Sequence, residues 1–354
     1  MRLVVKLGSR ILAEDPAARV AALAEEIEGA RAGGHTVVVV TSGAIALGME
    51  RLGLRERPRA IPTLQAAAAV GQCRLMEIYA RAFEARGLAV GQVLLTHADV
   101  AERARFLNAR HALKAMLALG AVPVINENDT VAVDEIKFGD NDRLAALVAS
   151  VVDADRLLLL TDVEGLLDAG GRVMREVDDP EAVAGLAGGA SGDGPGTGGM
   201  ASKVEAARIA GRSGVETIVA SGRTPGAMAA VLLGATIGTR FRASVGTLAA
   251  RKHWIAYVRR PEGGLVVDDG ARRALVDGKR SLLASGITEV RGDFDVGAAV
   301  SVIDREGREF ARGLAGYGSA EIARILGRRS GEIEDVLGYK YFDEVVHRDD
   351  LVLL

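Results

Sequence analysis

Six short apolar runs, each followed by a longer stretch with helical spacing, constrain this chain more than any other feature. They predict strands at Leu3–Lys6, Thr36–Thr41, Ala89–Thr96, Val122–Asn126, Arg156–Thr161 and Val215–Ala220, with helices filling most intervals up to about residue 243. Runs such as Val37-Val38-Val39-Val40 and Leu157-Leu158-Leu159-Leu160 lack polar alternation. Such a strand must be covered on both faces, which in this order of elements means an α/β fold: an open, mainly parallel sheet sandwiched by helices. Val131 to Phe138, and Gly165 to Val173 with its Ala169-Gly170-Gly171 turn, read as hairpins.

After roughly residue 250 the texture changes to short strands, tight turns and closely spaced glycines. Gly263–Asp268, Gly286–Val290 and Val300–Asp304 read as strands, with helical segments Gly270–Asp277 and Ser319–Leu326 between and after them. The expected division is a first domain at 1–246, a linker at 247–262, a small β-rich domain at 263–346 and a tail at 347–354. The second domain holds 12 Lys/Arg against 15 Asp/Glu, a net −3, which disfavours RNA binding. Its local basic clusters, Arg272, Arg273, Lys279 and Arg280, and Arg324, Arg328 and Arg329, fit solvated helix faces as well as an RNA site.

Composition narrows the function classes. With 354 residues, 49% hydrophobic and 26% charged, the chain is globular and long enough for two cores. A net charge of −3 supplies no general attraction to nucleic acid or anionic membrane. The single cysteine, Cys73, excludes an intrachain disulfide and a cysteine metal site, and is expected to be a small packed residue. No apolar run approaches a membrane span, and Met1–Lys6 is too soon broken for a secretion signal, so the sequence points to the cytoplasm.

The polar residues gather where strands end. Lys6, Ser42-Gly43, Thr96, Asn126-Glu127-Asn128-Asp129 and Thr161-Asp162 each follow a strand directly, and in an open sheet of this type ligands sit beyond those ends. One such polar residue is ordinarily a cap or a turn former. Recurrence at five strands makes a shared crevice the better reading. A glycine-rich loop, Gly192-Asp193-Gly194-Pro195-Gly196-Thr197-Gly198-Gly199, runs into Met200-Ala201-Ser202-Lys203 and a helix, a junction suited to phosphate. It is not a Walker A loop, because no glycine precedes Lys203 and Val204 stands where Ser or Thr would follow. Lysine accounts for 7 of 44 basic residues, yet Lys6 and Lys203 both remain beside glycine loops, so two point charges could flank one polyphosphate. Between them, Glu127, Asp129, Asp140 and Asp142 with Asn126, Asn128 and Asn141 make the densest polar segment, suited to a small cationic or amide-recognised ligand beside a metal–phosphate complex.

Val-Val-Lys-Leu-Gly-Ser (4–9), Val-Thr-Ser-Gly-Ala-Ile (40–45), Phe-Leu-Asn-Ala-Arg (106–110), Ile-Asn-Glu-Asn-Asp (125–129), Gly-Asp-Asn-Asp (139–142), Leu-Leu-Thr-Asp (159–162) and Gly-Thr-Gly-Gly-Met-x-x-Lys (196–203) occur in this order. Together they resemble the glutamate 5-kinases of the amino-acid kinase family, and the region around Arg280–Ile287 is similar to the barrel-like PUA module many bacterial members carry. The resemblance implies transfer of phosphate from ATP, with Mg²⁺, to the γ-carboxylate of L-glutamate, the first step towards proline. It makes Lys6 and Lys203 the phosphoryl contacts, Asp142 the acid that positions them, Ser42, Gly43, Asp129 and Asn141 the glutamate site, and Lys6, Thr161, Asp162, Thr197, Gly198, Gly199, Met200, Ala201, Ser202 and Lys203 the nucleotide site. No protein metal ligand is implied. Proline as feedback inhibitor and a dimer or tetramer are further implications; RNA is a secondary possibility through the PUA-like domain. Acetylglutamate, aspartate or UMP as acceptor are the alternatives within the family. The chain departs from the family pattern at Arg10, Leu64 and His97.

Overall fold

The computed structural model describes residues 1–132, 141–186, 199–243 and 261–354. The chain divides into two compact units, Met1–Thr247 and Leu248–Leu354. The first begins β1 (Arg2–Leu7), α1 (Ser9–Glu14), α2 (Pro16–Ala32), β2 (Thr36–Val40), α3 (Ala44–Arg51) and α4 (Ile61–Glu84). It continues through β3 (Val90–Leu95), α5 (His97–Ala101), α6 (Arg103–Ala118), β4 (Val122–Glu127), α7 (Asp142–Val151) and β5 (Arg156–Thr161). β6 (Glu176–Val177), α8 (Met200–Arg212), β7 (Glu216–Ser221), α9 (Ala227–Leu232) and β8 (Thr239–Phe241) complete it.

These strands form one sheet in the order β3-β4-β2-β1-β5-β7-β8-β6. Every neighbouring pair is parallel except β7 with β8. β1 lies centrally, with Lys6 opposite Val40 on one side and Leu159 on the other. Successive strand residues face opposite ways, which is why the runs are continuously apolar. Leu3, Val5, Val37, Val39 and Leu158 pack with Ile27, Leu75, Tyr79 and Phe83 on one face. Val4, Val38, Val40, Leu157 and Leu159 pack with Leu144, Val148, Val204 and Ala207 on the other.

Helices α3 and α4 approach more closely than side chains would allow. A Cβ on Gly48 would lie 1.7 Å from the Ala67 carbonyl oxygen, and one on Gly71 1.7 Å from that of Ala44. Glycine at both positions therefore fixes α4 against the start of α3, directly after the Ser42-Gly43 turn, where Gly43 adopts φ +93°.

Several expectations need correction. The strands β6 and β8 were not anticipated from the sequence; each is two or three residues long, too short for an alternation signal. The hairpin expected at 165–173 is present in minimal form, with an antiparallel bridge of Leu167 to Val173 and a turn held by Asp168 accepting from the Gly170 and Arg172 amides. The hairpin expected at 131–138 falls mostly outside the described residues. Cys73 is not packed but exposed on α4.

The second unit contains β9 (Gly263–Val267), α10 (Asp269–Val276), β10 (Ile287–Arg291), β11 (Ala299–Ile303), β12 (Glu309–Leu314), α11 (Ser319–Ile325), α12 (Ile333–Leu337) and β13 (Leu351–Leu353). Its sheet runs β10-β9-β11-β12-β13, antiparallel except where β9 meets β11. Leu265, Val267, Val300, Val302, Ile322 and Ile325 form a core of its own. Residues 347–354, expected to be a tail, include β13, which pairs Leu351 with Gly313 and Leu353 with Ala311. Among the described residues no helix is long and apolar enough to cross a membrane.

Candidate active site

Strands β3, β4, β2, β1 and β5 are neighbours and parallel, so their carboxyl ends open on one edge of the sheet. Three charged side chains converge there. Lys6 Nζ lies 2.6 Å from Asp142 Oδ1, and Lys203 Nζ donates to Asp142 Oδ2 at 2.9 Å. Asp142 is completely buried and each lysine is 5% exposed. Ser202 Oγ sits 2.9 Å from Asp142 Oδ2 and 2.8 Å from the Gly199 carbonyl oxygen.

The electrostatics of this cluster favour an added anion. Burial works against the charge on Asp142, but the ammonium groups of Lys6 and Lys203 override it and hold the carboxyl far below the ordinary carboxylate range. Among the described residues the cluster sets two cations against one anion in a buried place. Asp142 opens α7, where the helix dipole favours an acid, whereas Lys203 lies in the first turn of α8, where it does not. Helix α8 also starts with neither a side-chain cap nor an acid in its first turn. Lys203 and the helix start thus add their positive fields, an arrangement that suits phosphate oxygens.

Beside this cluster lies a chain of amides. Asn141 Nδ2 donates to the Thr41 carbonyl oxygen at 2.6 Å and to Asn126 Oδ1 at 2.7 Å. Asn126 Nδ2 donates onward to Gln72 Oε1 of α4 at 2.8 Å, and Tyr79, also on α4, donates its hydroxyl to Thr41 Oγ1 at 3.0 Å. Burial raises the Tyr79 phenol and outweighs its bond to Thr41, so it stays neutral. Ser42 is 5% exposed, and its Oγ is buried without a hydrogen-bond partner among the described residues.

At the end of β5, Thr161 Oγ1 donates to Asp162 Oδ1 at 3.1 Å, and Arg10 donates to Asp162 Oδ2 at 2.9 Å. Partial burial opposes the Asp162 charge, but Arg10 and Thr161 prevail and lower its pKa. Arg223 bonds the Asp162 carbonyl oxygen and ties the same corner to Glu14.

Of the residues expected from the sequence, Lys6, Asp142, Ser202 and Lys203 are brought into direct contact, and Asn141 is joined to Thr41 beside Ser42 and Gly43. Thr161 and Asp162 form their own group at the adjoining strand end. Gly199, Met200 and Ala201 lie at the start of α8, Met200 packing on the core. Asp129 is half-buried in the turn after β4. Thr197 and Gly198 lie outside the described residues. Leu64 is buried with Ile45, Ala67 and Ala68, and His97 opens α5 within a Thr96–Asp99 capping box, its Nδ1 3.8 Å from Glu127. The sequence reading missed the connecting parts, Gln72, Tyr79 and the Thr41 carbonyl; a glutamine in an alanine-rich helix carries no motif that would have found it.

Comparison with known proteins agrees with the fold. Residues 1–221 match the amino acid kinase family and residues 263–337 match the PUA domain. Proteins named glutamate 5-kinase are similar over the whole chain. That of Myxococcus xanthus is 54% identical, with 100% of this chain and 96% of that protein covered. That of Pelobacter propionicus is 48% identical, with 100% and 97% covered, and that of Moorella thermoacetica 49%, with 100% and 96%. The chain belongs to the amino acid kinase family, within its glutamate 5-kinase group.

Proposed function

We propose that this protein transfers the γ-phosphoryl group of ATP to the γ-carboxylate of L-glutamate, giving ADP and L-glutamyl 5-phosphate, the first step towards proline. The observation that carries the reading is the buried Lys6–Asp142–Lys203 cluster at the strand ends, in a chain similar throughout to glutamate 5-kinases.

The chemistry needs little from the protein beyond position and charge. A side-chain carboxylate has a pKa of about 4.3, so the acceptor arrives ionised and no general base is required. What must be overcome is repulsion between that carboxylate and the terminal phosphate, whose charge spreads over its equatorial oxygens in the transition state. Lys6 and Lys203 would hold those oxygens from two sides, and Asp142 would keep both ammonium groups charged and aimed. Ser42, Gly43, Asp129 and Asn141 would hold the glutamate, and Thr161, Asp162 and residues 197–203 the nucleotide. Among the described residues no group of three His, Cys, Asp or Glu side chains is placed to hold a metal. Mg²⁺ carried by the nucleotide's phosphates would supply further positive charge there.

Trapping the product tests the proposal. With ATP, Mg²⁺ and hydroxylamine, L-glutamate should give hydroxamate, whereas L-aspartate and N-acetyl-L-glutamate should not. Hydroxamate from either of the latter alone would reassign the acceptor. Feedback inhibition by proline, a homo-oligomeric state and a cytoplasmic location belong to the same proposal; added proline should lower the hydroxamate rate.

A further inference from the structure

The amide chain beside Asp142 has a fixed direction. The Thr41 carbonyl oxygen can only accept, so the Asn141 group facing it is the NH₂ end. That same NH₂ reaches Asn126 Oδ1, which turns the Asn126 NH₂ towards α4. Gln72 must therefore meet it with Oε1, leaving Nε2 directed elsewhere. Gln72 Nε2 is buried and, among the described residues, has no hydrogen-bond partner. A buried amide donor left unpaired is costly, and buried polar groups are nearly always satisfied by something. Nor is its backbone free to drift, since Gly71 seats α4 against the Ala44 carbonyl at the start of α3. Ser42 Oγ, on the loop between β2 and α3, is in the same condition. Both unpartnered groups thus hang from one hydrogen-bonded chain through Thr41, Asn141 and Asn126.

We infer that Gln72 is an acceptor-binding residue, its Nε2 donating to a carboxylate oxygen of the amino-acid substrate while its Oε1 holds Asn126. This rests on the reading that Ser42 and Asn141 line the acceptor site. Substrate binding would complete the hydrogen bonding of a site whose protein groups are already oriented, and a substrate lacking an oxygen at that point would leave the donor unpaired.

The test uses the full-length enzyme, the hydroxylamine assay and three variants. Gln72→Glu retains an oxygen that can accept from Asn126 but removes the donor; Gln72→Met removes both functions at similar length; Ser42→Ala probes the acceptor site independently. Both Gln72 variants should raise the KM for L-glutamate at least tenfold, a loss of about 1.4 kcal/mol or more, while the KM for MgATP and the thermal midpoint stay close to the parent's. If Ser42→Ala raises the glutamate KM and neither Gln72 variant does, the inference is overturned and the acceptor-site reading stands. A rise for Gln72→Met without one for Gln72→Glu would reduce Gln72 to orienting Asn126 and would also overturn the contact. If none of the three changes the glutamate KM, the acceptor-site reading itself is wrong. Should Gln72→Glu not fold, Gln72→Met is combined with Asn126→Ala: additive losses support a separate contact, and no loss beyond that of Asn126→Ala overturns it.

Discussion

Removing either ammonium group from the Lys6–Asp142–Lys203 cluster takes away a donor that the proposed function assigns to the phosphoryl group and breaks one of the two ion pairs of the buried carboxylate. Loss of one such contact in a closed site costs about 3 kcal/mol, so Lys6→Ala and Lys203→Ala should each lose roughly a hundredfold or more in hydroxamate turnover. Lys→Arg should fail as well, because a planar fork does not replace a compact charge at a glycine-bounded position. Circular dichroism that stays native beside near-normal turnover would refute the roles given to these lysines. Asp142 makes a separate prediction about acid. Its folded pKa is depressed, so the stability it contributes is present above its unfolded pKa of about 3.9 and drains away as pH falls below that towards the folded value. Asp142→Asn should thus be less stable than the parent at pH 7, by about 3–5 kcal/mol for a broken buried pair, with the difference shrinking below pH 4 in urea titrations. Lys6 and Lys203 stood out in the sequence as scarce lysines beside glycine loops, whereas the role of Asp142 came from the family resemblance. Gln72 and Tyr79 did not stand out: their role depends on which side of α4 faces the strand ends, and helical spacing alone marks that face as core.

At the scale of the elements, the closest packing in the first unit involves no side chain at either glycine. Gly71→Ala or Gly48→Ala would drive a methyl into a backbone carbonyl, which cannot rotate away, so each should destabilise by about 1–3 kcal/mol or more. Because α3 follows the Ser42-Gly43 turn, Gly71→Ala should also raise the glutamate KM while affecting MgATP less. A thermal midpoint and both KM values measured on one preparation check this. Five of the long strands could be read because burial on both faces leaves a largely apolar run, and the edge strand β3, half-buried with Gln92 exposed, because its apolar residues still cluster. β6, β8 and β13 escaped notice because strands of two or three residues leave little pattern, and β12 because Glu309, Arg312 and Gly313 break up its apolar residues. β13 is the case with a consequence: deleting residues 351–354 removes the partner of β12 and exposes its edge. That variant should lower the unfolding midpoint of the second unit and promote association at micromolar concentration, visible by light scattering.

For the whole molecule, charge distribution decides what the second unit can bind without a dedicated site. Residues 263–346 carry 12 basic against 15 acidic groups, so structured RNA should not be retarded by the full-length protein near 150 mM salt. Salt-dependent retardation would instead assign the PUA region an RNA partner. The division into an α/β unit and a β-rich unit was readable from the change in texture near residue 250, whereas the sheet order was not, since spacing along a chain does not say which strands become neighbours. That order bears on biosynthesis. β1 must lie against both β2 and β5, and the latter begins at Arg156, more than a hundred residues after Lys6 has been made. At about 5–20 residues per second, the strand that carries Lys6 waits roughly 7–30 s for its second neighbour. Throughout that interval Leu3, Val4 and Val5 lack the β5 neighbour that they have in the folded chain.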